Sequence, residues 1–219
     1  MKRYFWLILI FVFLAGCSFS GKHNLIFKSS NYVKSAYQNR IQFVNSFLQG
    51  RFCDAKIYFN KSNLFFARAD DLEMIGVNYY QLYLLYKYIG QEKIRFYKTA
   101  NFYTKDKKLS GINRDKFYLR LIKSGDFTEL WKVIQREKNP VYQSVYCRKI
   151  ARVAPKEWKN KFLQRAFDID KQYGWTIFLI EDWKEKKTLG SNSDADIHIK
   201  ILQSSLENCE FDHDLYYLK

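Results

Sequence analysis

The sequence predicts an all-α protein, and three observations carry that prediction. Apolar residues recur at spacings of three and four along most of the chain, the period of a helix with one buried face. Glycine occurs only nine times and proline twice in 219 residues, too few for the tight turns of a sheet protein. Residues of apolar or aromatic type make up 47% of the chain and aromatics alone 19%, which is enough for a real core and excludes a disordered or disulfide-framework chain. At this length one domain is expected, or at most two small ones.

At the N-terminus, Met1-Lys2-Arg3 precedes twelve apolar residues, Tyr4 to Ala15, a charged start and a short apolar run of the kind that directs secretion. The run is too short to cross a bilayer core of about 30 Å comfortably as a helix. Residues 17–30 read as a polar tether, and a helical domain is expected over 31–219. Val33, Ala36, Tyr37, Ile41, Val44, Phe47 and Leu48 share one helical face. After Gly50, Phe52, Ala55, Tyr58, Phe59, Ser62, Phe65, Phe66 and Ala69 share another. A third face runs Leu72, Ile75, Tyr79, Leu82, Tyr83, Tyr86 and Ile89 to Gly90, and Ile94, Tyr97 and Ala100 continue beyond it. Pro140 suits the first turn of a helix carrying Tyr142, Val145, Tyr146, Ile150 and Val153. Pro155 and Gly174 bracket a helix whose face holds Trp158, Phe162, Ala166, Ile169 and Tyr173. Trp175–Ile180 fits a strand or a buried helix, and Ile197–Ile201 alternates like a strand; both are read as helical from their surroundings. Leu189–Asp194 is the clearest loop and supplies an N-cap for the segment after it.

Two stretches resemble known patterns. Leu14-Ala15-Gly16-Cys17 resembles the bacterial lipobox. The resemblance implies cleavage before Cys17, removal of residues 1–16 as a signal peptide, and a diacylglycerol thioether with a palmitate-type acyl chain on Cys17. Several buried acyl chains would make attachment effectively permanent. Ser18 follows the cysteine where the enteric sorting rule would place aspartate for inner-membrane retention, so the resemblance implies an outer-membrane lipoprotein facing the periplasm. The helical part resembles the tetratricopeptide repeat, whose first helix carries an aromatic, Leu, Gly and Tyr and whose second carries Ala, an aromatic and Ala. Around Gly50 the second-helix positions match at Phe52, Ala55, Phe59 and Ser62. Around Gly90 the first-helix positions match at Tyr79, Leu82 and Tyr86, followed by Tyr97 and Ala100. Gly50 and Gly90 stand 40 residues apart against a usual repeat of about 34, and Gly125-Asp126-Phe127 with Leu130 and Ile134 is a third, partial copy. Tyr83 and Lys93 depart from the signature, which wants small residues there. The resemblance implies antiparallel hairpins stacked as a repeat array; an irregular helical bundle is the alternative.

Sites for chemistry are few. No Gly-x-Gly, Gly-x-Ser-x-Gly or His-Glu-x-x-His occurs, so phosphate-loop, hydrolase-elbow and zincin chemistry lack their usual motifs. Asp194, Asp196 and His198 would share a face only on a strand, and a polar loop with an N-cap explains them as well; no metal or cofactor is expected. Glu181 with Asp182, and Asp70 with Asp71, are paired carboxylates that read as surface charge. Three cysteines follow Cys17. A disulfide between Cys147 and Cys209 is expected, with Cys53 as a buried thiol beside its apolar face.

The formal charge is +15, and lysines cluster at Lys105, Lys107 and Lys108, at Lys156, Lys159 and Lys161, and at Lys184, Lys186 and Lys187. For an exported protein this suits headgroups, an anionic envelope polymer or an acidic protein surface, and no nucleic acid is expected. The expected function is a non-enzymatic, lipid-anchored adaptor of the cell envelope. Stacked hairpins would present a surface to a protein partner, with Tyr79, Tyr80, Tyr83 and Tyr86 as the expected contact patch. A cell-wall (peptidoglycan) hydrolase and a dedicated immunity or structural lipoprotein are the alternatives.

Overall fold

A computed structural model describes residues 22–105, 110–190 and 194–211, and every regular element among them is an α-helix. In chain order these are α1 (Lys22–Leu48), α2 (Phe52–Arg68), α3 (Leu72–Tyr88), α4 (Ile94–Thr104), α5 (Ser110–Ser124), α6 (Phe127–Arg136), α7 (Pro140–Ala151), α8 (Lys156–Tyr173), α9 (Thr176–Thr188) and α10 (Ala195–Ser204). Leu14, Ala15, Gly16 and Cys17, and the secretory segment they close, lie outside the described residues. No described helix is long and apolar enough to cross a membrane. Helix α1 begins at Lys22, inside the span expected to be a tether. With neither glycine nor proline after Gly21, nothing stops a helix nucleated further on from propagating back.

Local chemistry explains the helix ends. Side chains of Asp71, Asp126 and Asn139 accept from the N–H groups of Met74, Glu129 and Val141 at 3.2, 2.9 and 3.0 Å, capping α3, α6 and α7. Pro140 occupies the first turn of α7, where its missing N–H costs nothing. Gly50 takes φ +78° between α1 and α2, a conformation side chains rarely adopt, and a Cβ there would lie 2.3 Å from Leu206 Cδ2. The α1–α2 turn is therefore also a dock for the chain's end, and Glu207 N donates to Gly50 O at 3.0 Å.

Consecutive helices pack as pairs, α1 with α2, α3 with α4, α7 with α8 and α9 with α10. Ala55 is fully buried in the first pair, together with Ala36, Phe43, Phe47 and Phe59. A polar clasp crosses three helices there. Ser62 Oγ donates to Ala36 O at 2.9 Å, and Asn78 Nδ2 donates to Ser62 Oγ and Asn63 Oδ1 at 2.8 and 2.7 Å. One core cluster joins α1–α4 to Val145, Trp175, Phe178 and Phe211; a second joins Tyr118, Leu130, Ile134, Tyr146, Phe162 and Ala166 across α5–α8. Phe211 lies among the rings of Phe43, Phe47, Phe59 and Tyr86, with centroids 5.8–6.3 Å away.

Helices α3 and α4 approach closely at a small residue that the expected repeat register did not use. That residue is Gly76, two turns before Tyr83, and a repeat signature placed on it would put its bulky, Leu-like, Gly and Tyr positions at Leu72, Ile75, Gly76 and Tyr79. A Cβ on Gly76 would meet Thr104 Cγ2 at 2.6 Å and both Ala100 O and Tyr103 Cβ at 2.9 Å. A seven-residue shift nearly preserves a helix face, so a tyrosine-rich helix satisfies both registers by pattern alone. Gly76→Ala raises helix propensity by about 1 kcal/mol, yet it should destabilise the protein by about 1–3 kcal/mol because backbone must move. A denaturant midpoint above wild type would remove Gly76 from the contact.

Both strand-like segments are helical. Ile177, Phe178 and Ile180 of α9 are buried, whereas Ile197 and Ile201 of α10 are 59% and 61% exposed. The alternation around Ile199 therefore marks no buried sheet face. The disulfide differs from expectation: Cys53 is bonded to Cys209, and Cys147 is a buried thiol. The chain after α10 crosses the start of α2, where Cys53 N donates to the Glu207 carboxylate at 2.8 Å, while Cys147 lies with Tyr146, Ile150 and Ala166 in the second cluster.

Candidate functional site

The expected tyrosine patch is core. Tyr80 and Tyr83 are only 6% and 7% exposed, and Tyr79 and Tyr86 pack against the same cluster. Tyr79 stacks on Tyr103 with centroids 6.1 Å apart, Tyr86 stacks on Phe96 at 5.6 Å, and Tyr83 OH donates to Glu92 Oε1 at 2.7 Å. Burial pushes the Tyr86 hydroxyl up to about 12. Tyrosine spacing reports a helix face, and only the neighbouring helix decides whether that face is covered.

The carboxylates disperse. Asp194, Asp196 and His198 sit on helix α10 or at its start, where residues two apart point about 200° away from each other. Asp196 accepts from Lys187 Nζ at 2.7 Å and His198 stacks on Trp183 with centroids 4.1 Å apart. Among the described residues no group of three His, Cys, Asp or Glu side chains is placed to hold a metal ion. Asp71 caps α3, and Glu181 accepts from Lys184 on the surface at 2.7 Å.

Asp182, expected at the surface, is buried. Arg148 of α7 donates through Nη1 to Asp170 of α8 and, at 3.0 Å, to Asp182 Oδ1 of α9, while its guanidinium carbon lies 4.1 Å from the Phe178 ring centroid. Burial first, then the neighbouring Asp170, raises the Asp182 carboxyl to about 8 against the pull of Arg148. Burial likewise raises the adjacent Cys147 thiol to about 12, which keeps it protonated at neutral pH. Several lysines of the expected basic clusters lie over rings. Lys161 is 4.4 Å from the Trp131 centroid and 4.7 Å from that of Trp158, and Lys186 is 3.4 Å from that of Phe167. Lys107 and Lys108 lie outside the described residues.

A concavity with convergent polar groups lies between hairpins. A cleft of about 630 Å³ is walled by α1 through Tyr37, Arg40, Ile41, Val44 and Asn45, by Gln81 of α3, by Lys138 and the first turn of α7, and by Tyr173 and Trp175 at the α8–α9 turn. Its volume is that of a small-ligand site. Burial lowers the Arg40 guanidinium below its ordinary value, with Tyr37 and Tyr142 partly offsetting the effect. No carboxylate lines the cleft, and none is paired with Arg40 among the described residues. Trp175 is 1% exposed, stacks on Tyr173 at 4.8 Å, and its indole N–H has no acceptor there. Asn139 already engages the Val141 and Tyr142 N–H groups at 3.0 and 3.5 Å, so the α7 start contributes its dipole and the amide N–H₂ of Asn139. Sequence reading missed this site. Arg40 stands among polar residues of α1, and nothing local reveals that a turn 100 residues later covers it.

Comparison with known proteins returns no matching family model, no matching curated protein and no matching solved structure.

Proposed function

We propose that the protein is a lipid-anchored adaptor of the cell envelope, held through Cys17 at the periplasmic side of the outer membrane, whose helical hairpins hold a protein partner or an anionic envelope polymer without transforming it. The observation that carries the reading is the cleft between α1 and α7, a concave surface in which a cation partly withdrawn from water lacks a carboxylate. The lipobox-like tetrad and the short apolar run before it support the anchor.

Two measurements test this. Cys17→Ser should leave an unprocessed product without labelled palmitate; a mutant that still incorporates palmitate and stays with membranes through a high-salt wash removes the anchor from the reading. A photo-crosslinker at Ile41, on the exposed rim of the cleft, should trap a discrete adduct in cells that the similarly exposed position Ile57 on α2 does not. Indistinguishable labelling from both positions would mean that the cleft is not where the partner sits.

A further inference from the structure

We propose that the α1–α7 cleft binds an acidic sugar, a ring bearing a carboxylate and several hydroxyls; this names the chemistry of the partner in the adaptor reading and rests on it. Arg40 is the main warrant. A guanidinium partly withdrawn from water without a carboxylate partner is unfavourable in the free protein, and an anion that supplies two parallel acceptors offsets the loss. The planar fork of an arginine matches a carboxylate, and Lys138 at the mouth adds a second cation. The charge is complementary as well: the chain carries +15, and no acidic side chain lines the cleft to oppose an anion.

The rest of the lining matches the ring. Asn45, Gln81 and Asn139 bring side-chain amides, which donate and accept as sugar hydroxyls do, and the Trp175 N–H lacks an acceptor. Tyr37 and Tyr173 are half-exposed aromatic flanks against which the apolar face of a sugar can lie. An extended peptide would instead seek a long groove or a free strand edge, and the described residues contain no strand.

Calorimetric titration of the full-length protein in detergent tests the idea, with N-acetylmuramic acid and glucuronate as acidic probes and N-acetylglucosamine as the neutral one. The acidic probes should bind saturably, and the neutral sugar at least about tenfold more weakly. Arg40→Gln should lose about 10–100-fold in affinity for the acidic probes. Arg40→Lys, which keeps the charge without the fork, should fall between, and Lys161→Gln on α8 should bind like wild type. Unchanged circular dichroism of each variant separates lost binding from lost fold. Equal binding of acidic and neutral sugars, or no saturable binding of any, overturns the proposal. So does an acidic dipeptide, acetyl-Phe-Glu, that displaces the acidic sugars with at least tenfold higher affinity, because the cleft then takes a peptide. The adaptor reading fails by a different result, the absence of a position-specific crosslink at Ile41.

Discussion

Arg148→Met should cost about 3–5 kcal/mol of unfolding free energy near pH 8.5, because it strands two carboxylates in the core. Asp170 and Asp182 are fully buried and approach the same guanidinium from α8 and α9, so the cation joins three helices as well as two charges. The pH dependence has a definite sign. Asp182 releases its proton near 8 in the folded protein and near 4 in the unfolded chain. Between those values the folded state binds more protons, so this group's contribution to stability falls as pH rises from about 4 to about 8 and is level above that. Asp182→Asn should flatten that part of the wild-type profile. Arg148 pulls the Asp182 carboxyl down, so without it Asp182 holds its proton more readily and the Arg148→Met penalty should shrink at pH 5. Thermal unfolding at several pH values reads all three effects. An Arg148→Met protein as stable as wild type at pH 8.5 would mean that water reaches the triad.

Breaking the Cys53–Cys209 bond should lower stability by about 2–5 kcal/mol, since it closes a separation of 156 residues. The consequence should reach beyond the bond. The same stretch carries Leu206 over Gly50 and Phe211 into the aromatic cluster, with Arg95 Nη2 donating to Phe211 O at 2.9 Å, so Cys209→Ser should raise hydrogen exchange at Gly50 and Phe211. Dithiothreitol should shift the wild-type midpoint by a similar amount. Cys147→Ala identifies the partner: it should keep the full shift, and loss of the shift in that variant would restore Cys147–Cys209 as the pair.

What the sequence determined by itself is local. The faces of α1, α2 and α8, the stops at Gly50, Gly90 and Gly174 and the start at Pro140 are legible because helical period and turn chemistry act within a few residues. The burial of Ala55 and Phe59 is legible for the same reason. Tertiary structure decided whatever depends on which faces meet. It covered the tyrosines of α3, set the α3–α4 contact at Gly76 rather than two turns later, and brought residue 209 to residue 53. It also drew Asp182 inward and set Arg40 in one cleft with Trp175. Each of these depends on contact between segments far apart in the chain, and a residue's own neighbours in sequence carry little information about the side chain that will lie against it. The buried Arg148, Asp170 and Asp182 and the half-buried Arg40 are the least legible for a further reason: their types alone assign them to the surface, and for the first three only their mutual pairing makes withdrawal from water tolerable.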